Sequence, residues 1–137
     1  MNIKRVPQFK RTARYTGDDY RLLAKFMDQF SEIWTVPQVI AEVSNLTDLS
    51  GQERVLAREV LRRIVREIDE SPVSSRTASG HGLFPALGVT DSAIAAAAAE
   101  LDCAVLTDDL DLYLALQAAQ LLAVNYTHLR ATYLDVI

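Results

Sequence analysis

Acidic residues directly follow a short apolar run in one stretch of the chain, an arrangement that is typical of a ligand-binding or metal-binding site. Cys103 to Leu106 predicts a buried strand, and Thr107, Asp108, Asp109 and Asp111 come directly after it. We expect the Thr107 hydroxyl to cap a following helix, whose dipole favours acids in its first turn. The carboxyl end of a parallel strand is also where ligands and metal ions gather. Ordinary helix capping explains the same acids without a ligand, so this stretch alone leaves both interpretations open.

Two further acids lie on predicted helices, at positions that share the apolar face. Glu42 falls three residues after Val39, inside the apolar stripe of a helix from Pro37 to about Leu46. Asp91 lies in the first turn of an alanine-rich helix over residues 88–100 and shares its inward stripe. A carboxylate on a buried face is unfavourable unless a cation or hydrogen-bond donors meet it. For Glu42 alone, an acid at the edge of the stripe that reaches water is the commoner situation.

Taken together, Glu42, Asp91 and Asp109 with Asp111 predict carboxylates that face the core from three separate parts of the chain. Like charges brought close raise one another's pKa values, so a convergent cluster requires a divalent cation. Oxygen-only ligands favour Mg²⁺ or Mn²⁺ over zinc, and the sequence has no histidine and cysteine spacing of the zinc type. The sequence therefore predicts a Mg²⁺ or Mn²⁺ site held by these acids.

Length and composition predict one domain with a single core. The chain has 137 residues, of which 50% are apolar, and no apolar run long enough to cross a bilayer. The first residues lack the apolar segment of a signal peptide, so we expect a cytoplasmic protein. Cys103 is the single cysteine and is expected to be a small buried hydrophobe.

Charge is divided unevenly along the chain. Residues 1–25 carry seven bases and two acids, whereas the rest carries seven bases and sixteen acids. Such a division fits a protein that holds cations in one place and contacts a polyanion in another, although it also fits a solvated basic tail. Residues 1–16 are predicted to be an irregular basic lead-in. The bases expected to contact nucleic acid are Lys4, Arg5, Lys10, Arg11 and Arg14.

Periodicity predicts an alternation of helices and short strands. Helices are expected over residues 16–29, 37–46, 52–69, 88–100 and 111–119, and strands over 33–36, 103–106 and 121–124. Residues 71–88 predict a loop, with a brief strand near Val73, and a polar end follows at Asn125 to His128. Such alternation is typical of α/β proteins with a parallel sheet.

The acidic stretches and their order resemble the successive blocks of a PIN domain over roughly residues 17 to 130. The blocks that carry the resemblance are Val36 to Leu46, Leu87 to Ile94, Leu106 to Tyr113 and Ala123 to Tyr126. The resemblance implies a three-layer α/β/α sandwich on a parallel sheet and, in many members, a metal-dependent ribonuclease, including VapC-type toxins of toxin–antitoxin pairs. It implies that Glu42, Asp91 and Asp109 are catalytic metal ligands. It also implies auxiliary roles for the Thr107 hydroxyl, Asp108 and Asp111.

The chain departs from that pattern at its beginning. PIN domains usually open with a strand that ends in an Asp-Thr-Asn-like triplet, and this chain has none, with Asp18 and Asp19 poor substitutes. We expect the first strand to be missing or incomplete, with a start placed too late or a shortened gene as explanations. A missing central strand exposes neighbouring strand edges and favours oligomerisation or strand donation by another chain.

Two functions follow as hypotheses. The first is a PIN-type endoribonuclease that hydrolyses RNA phosphodiesters with Mg²⁺ or Mn²⁺, partnered by RNA and an antitoxin-like protein, and impaired by the missing acid. The second is a degenerate PIN-like domain that binds or assembles without cutting. A phosphohydrolase with Asp109 as its nucleophile lacks the expected flanking residues.

Overall fold

A computed structural model describes residues 16–134 of the protein. This part of the chain contains seven helices and four short strands. The helices are α1 (Gly17–Met27), α2 (Pro37–Leu46), α3 (Gly51–Glu67), α4 (Ser75–Ser79), α5 (Phe84–Leu101), α6 (Leu110–Ala118) and α7 (Tyr126–Tyr133). The strands are β1 (Trp34–Thr35), β2 (Asp69–Glu70), β3 (Val105–Thr107) and β4 (Ala123–Asn125).

The four strands form two separate parallel pairs. β1 pairs with β2, with Trp34 opposite Asp69, and β3 pairs with β4, with Val105 opposite Ala123. Helices α2 and α3 lie between β1 and β2 along the chain, and α6 lies between β3 and β4, because parallel strands require a crossover connection. The predicted mixture of helices with parallel strands is confirmed, and it is compatible with the α/β class. Among residues 16–134 no strand precedes α1.

Helix α5 is the central element, because its alanines enter both apolar cores. Ala93 and Ala97 pack with Val36 of the β1 side, whereas Ala95 and Ala98 pack with the core around β3 and α6. Side chains no larger than a methyl group allow a helix to approach its neighbours closely. The second core is completed by Val105, Leu112 and Leu116.

Capping residues explain where several helices begin. Thr16 and Asp19 form a reciprocal capping box at the start of α1, and Pro37 occupies the first turn of α2, where its missing N–H costs nothing. Asp109 caps α6, with its side chain accepting a hydrogen bond from the backbone N–H of Leu112. The prediction that Thr107 caps this helix is therefore wrong, and the cap lies two residues later.

The predicted loop over residues 71–88 is wrong in part. Helix α4 lies inside it, capped by Ser74, and α5 begins at Phe84. The strand expected near Val73 lies instead at Asp69–Glu70. The polar end predicted at Asn125 is the cap of α7, whose first residue, Tyr126, is buried.

No helix of residues 16–134 is long and apolar enough to span a lipid bilayer. The five bases predicted to contact nucleic acid, Lys4, Arg5, Lys10, Arg11 and Arg14, lie outside the described residues.

Candidate functional site

Asp91 is positioned by a break in helix α5. Gly88 has φ 85° and ψ −170°, which is not helical, and the helix resumes immediately after it. Asp91 therefore lies in the first turn of the resumed helix, where the positive end of the helix dipole favours a carboxylate. The side chain is half-buried.

Glu42 is held next to Asp91 by a contact between helices α2 and α5. The Thr90 hydroxyl donates a 2.7 Å hydrogen bond to Glu42 Oε1, joining residues that lie 48 positions apart in sequence. Thr90 directly precedes Asp91, so this bond places the Glu42 carboxylate on the Asp91 side of α5. Sequence periodicity gave no reason to select Thr90, because the bond depends on how α2 packs.

Asp109 reaches the same region from the end of strand β3. Its Oδ1 accepts a 3.1 Å hydrogen bond from the Leu112 N–H, and its own N–H donates to Thr107 Oγ1 at 3.1 Å. The Thr107 hydroxyl thus fixes the turn that carries Asp109. This contact is consistent with the auxiliary, positioning role expected for Thr107.

The electrostatics of Asp91 link the three acids. Burial raises the pKa of the Asp91 carboxyl above its usual range, and the negative charges of Asp109 and Glu42 raise it further. The Asp91 carboxyl therefore lies within the electrostatic reach of Glu42 on α2 and of Asp109 in the β3–α6 turn. Such mutual repulsion is what a bound cation relieves.

The prediction that all three carboxylates face the core is wrong for two of them. Glu42 and Asp109 are exposed, and only Asp91 is half-buried. Glu42 is exposed because α2 has no buried residue, so its apolar stripe is only partly covered. The acids line a surface of the protein that is open to solvent.

The donor set is chemically suited to Mg²⁺ or Mn²⁺, because its members are carboxylates with no nitrogen or sulfur. Within residues 16–134, however, no three histidine, cysteine, aspartate or glutamate side chains lie close enough together to hold one metal ion. The structure thus brings Glu42, Asp91 and Asp109 into one electrostatic neighbourhood without assembling them into a coordination shell.

The two remaining acids of the predicted site differ in their contacts. Asp108 accepts a hydrogen bond from the Thr127 hydroxyl at the start of α7, which ties the β3 turn to the end of β4. Asp111 lies in the first turn of α6 and is exposed, a position that the helix dipole favours. Asp108 therefore connects the β3–α6 turn to α7, whereas Asp111 is placed to interact favourably with the dipole of α6.

A buried polar cluster beside the site was not predicted. Asp19 is 3% exposed, and its Oδ1 accepts a 2.6 Å hydrogen bond from the Tyr126 hydroxyl and lies 3.1 Å from Arg130 Nε. Burial by itself raises the pKa of the Asp19 carboxyl, but hydrogen bonds from Tyr126 and Thr16 and the Arg130 charge lower it on balance. Burial and the Asp19 hydrogen bond raise the pKa of Tyr126.

This cluster fastens α1 to α7 and uses the Asp19 oxygens for structure. Its sequence signal was the Thr16-x-x-Asp19 spacing of a capping box, which identifies the helix start but not the partner 107 residues away. Asp19 is committed to these contacts and so does not replace the acid that the PIN pattern places on a first strand.

Compared with protein-family models, with curated proteins and with solved structures, the chain has no significant match.

Proposed function

We propose that the protein is a PIN-like, metal-dependent endoribonuclease that hydrolyses RNA phosphodiester bonds. The observation that carries the proposal is that Asp91 lies within the electrostatic reach of both Glu42 and Asp109, although the three come from separate elements. In this proposal the two parallel strand pairs are parts of one three-layer α/β/α sandwich. The acids at the edge of this sandwich are open to solvent, so a long RNA strand can reach them.

Glu42, Asp91 and Asp109 would hold Mg²⁺ or Mn²⁺, the cations that the all-oxygen donor set favours. When bound, the cation supplies water activation and stabilises negative charge on the phosphate. Thr90 orients the Glu42 carboxylate, and Thr107 fixes the turn before Asp109.

RNA binding in this proposal depends on the basic lead-in as well as on the acidic edge. The lead-in bases would contact backbone phosphates, which an acidic body cannot attract by itself. Binding should therefore weaken as salt concentration rises, because each neutralised phosphate releases counterions.

Cleavage of a generic single-stranded RNA in the presence of Mn²⁺ tests the proposal. Asp91→Asn and Asp109→Asn should each abolish cleavage, since each removes one charge and leaves the side-chain shape. Glu100→Gln is the matched control, because Glu100 lies at the far end of α5 and is exposed. Cleavage that survives in both aspartate variants refutes the assignment.

A second function, a non-cutting module that binds another polypeptide, is favoured by two observations. No three metal-binding side chains of residues 16–134 converge closely, and the two strand pairs are not joined into one sheet. Such a module binds Mn²⁺ only weakly and leaves RNA intact. An antitoxin-like protein is the kind of partner that this function implies.

A further inference from the structure

A groove of about 670 Å³ lies between strands β1 and β3. Strand residues on its walls include Trp34, Thr35, Leu106 and Thr107. Apolar side chains of three helices also line it, including Phe26 and Met27 of α1, Val39 of α2 and Ile94 of α5, and the charged lining residues are Glu32 and Asp102. The groove is therefore an apolar channel bounded by one strand of each pair.

Backbone hydrogen-bonding groups of both strands are directed at this groove. In β1, the carbonyls of Ile33 and Thr35 accept bonds from the β2 side, at 2.9 and 2.8 Å. Successive residues of a strand point their N–H and C=O groups to opposite sides, so those of Trp34 point away from β2. In β3, Val105 donates toward β4 at 3.0 Å, so the groups of Leu106 point away from β4.

No strand within residues 16–134 pairs with either of these edges. An edge of this kind is a template for another strand, because the backbone groups of Trp34 in β1 and Leu106 in β3 face away from their partner strands.

The two edges also run in the same direction. β1 leads into the helix that carries Glu42, and β3 leads into the turn that carries Asp109. Val36, directly after β1, packs in one cluster with Ala93 near the start of the resumed α5, and β3 follows the end of α5 and packs Val105 with Ala95, so the carboxyl ends of both strands lie toward the start of that helix. An extended segment that lies along the groove can therefore run parallel to both strands.

We propose that the groove binds an extended apolar segment of a separate polypeptide, which inserts as a parallel strand between β1 and β3. Strand addition of this kind takes its affinity from main-chain hydrogen bonds and its specificity from side-chain contacts. Central strands of parallel sheets are apolar at successive positions, and the apolar lining of this groove requires the same of its occupant. The inserted segment joins the two strand pairs into one five-stranded sheet.

The chain's own residues 1–15 do not match this requirement. They contain five bases and Pro7, and no two consecutive residues among them are apolar. Five bases outnumber the two acids that line the groove, Glu32 and Asp102, and burying a base without a partner is unfavourable. Proline is also excluded from the centre of a sheet. A strand from another polypeptide with consecutive apolar residues meets both demands.

The proposal does not depend on nuclease activity, and its readout needs neither RNA nor metal. Trp34 is the single tryptophan of the chain, lines the groove and is 36% exposed. An inserted strand covers it, so the emission of Trp34 should shift to the blue and saturate with added peptide. The probe is an end-blocked peptide of about five alternating valine and isoleucine residues, the usual length of a strand, followed by solubilising lysines.

The matched control peptide carries proline at the central position. It keeps the apolar character but lacks the N–H and the strand geometry, so its binding should be weaker by about tenfold or more. A peptide with the sequence of residues 1–15 should cause no saturable shift. Equal binding of either control overturns the proposal, as does the absence of a saturable shift with the apolar peptide.

Two protein variants test whether the peptide binds in the groove. Ala104 and Ala99 are both exposed, but only Ala104 lines the groove. Ala104→Glu introduces a carboxylate into the channel and should weaken binding about tenfold or more, because a buried charge without a partner is costly. Ala99→Glu should bind the peptide as the wild type does. Undiminished binding by Ala104→Glu, or a Trp34 shift that follows protein concentration without peptide, overturns the proposal.

Discussion

Gly88→Ala tests whether the break in α5 depends on glycine. The φ of 85° and ψ of −170° at Gly88 lie in a backbone region that is essentially restricted to glycine. A Cβ built at Gly88 meets no atom within 4 Å, so the variant adds no steric clash. The cost is therefore backbone strain alone, about 1–3 kcal/mol of unfolding free energy.

Gly82→Ala is the matched control for this prediction. A Cβ there also meets nothing within 4 Å, and the φ of Gly82 is outside the left-handed region. Alanine restricts the unfolded chain at both positions, which by itself stabilises by about 0.4–1 kcal/mol. Gly82→Ala should thus be neutral or slightly more stable, and the difference between the two variants isolates the strain.

Urea unfolding followed by circular dichroism measures both variants. We expect a lower midpoint for Gly88→Ala with an unchanged slope, since the surface exposed on unfolding is the same. The same variant should impair RNA cleavage, because the break sets the first turn that carries Asp91. Equal stability of Gly88→Ala and Gly82→Ala would refute the reasoning.

Three further substitutions concern polar groups that are buried or cap a helix. Asp19→Asn should cost about 2 kcal/mol at pH 7 in urea unfolding, because a charged hydrogen bond to Tyr126 is lost. The pKa of Asp19 is lowered in the folded state, so the ionised carboxylate contributes its full stabilisation above the unfolded-state pKa of about 3.9. This stabilisation is lost as the pH falls through the folded-state pKa. The stabilities of the variant and the wild type should therefore converge in strong acid. Ser92→Ala should raise thermal stability by about 1 kcal/mol, since the fully buried Ser92 hydroxyl has no hydrogen-bond partner among residues 16–134. Asp109→Asn should keep the stability of the wild type, because asparagine caps as well as aspartate, whereas Asp109→Ala should lose about 1 kcal/mol in the same assay.

Helix and strand order could be predicted from local pattern, because periodicity and capping act over a few residues. The start of α2 at Pro37 and the alanine-rich body of α5 follow from the sequence alone. α7 was missed although Asn125 is a good capping residue. Its first residue, Tyr126, is buried by a partner on α1, and local pattern does not show that contact.

The exposure of the candidate site residues could not be predicted from the sequence. Apolar spacing places Glu42 on one face of α2, yet the same face leaves Val43 37% and Leu46 48% exposed. Periodicity identifies a face, whereas burial depends on which other element covers it. The contact of Thr90 with Glu42 likewise depends on packing between α2 and α5 and has no local signal.

Mn²⁺ binding measured by isothermal titration calorimetry tests most directly whether Glu42, Asp91 and Asp109 form one cation site. We expect one saturable site in the wild type and in Glu100→Gln. We expect no saturable binding in Asp91→Asn, because Asp91 is the carboxyl on which the charges of both Glu42 and Asp109 act. Undiminished binding in Asp91→Asn, or no saturable binding in the wild type, would contradict a shared cation site.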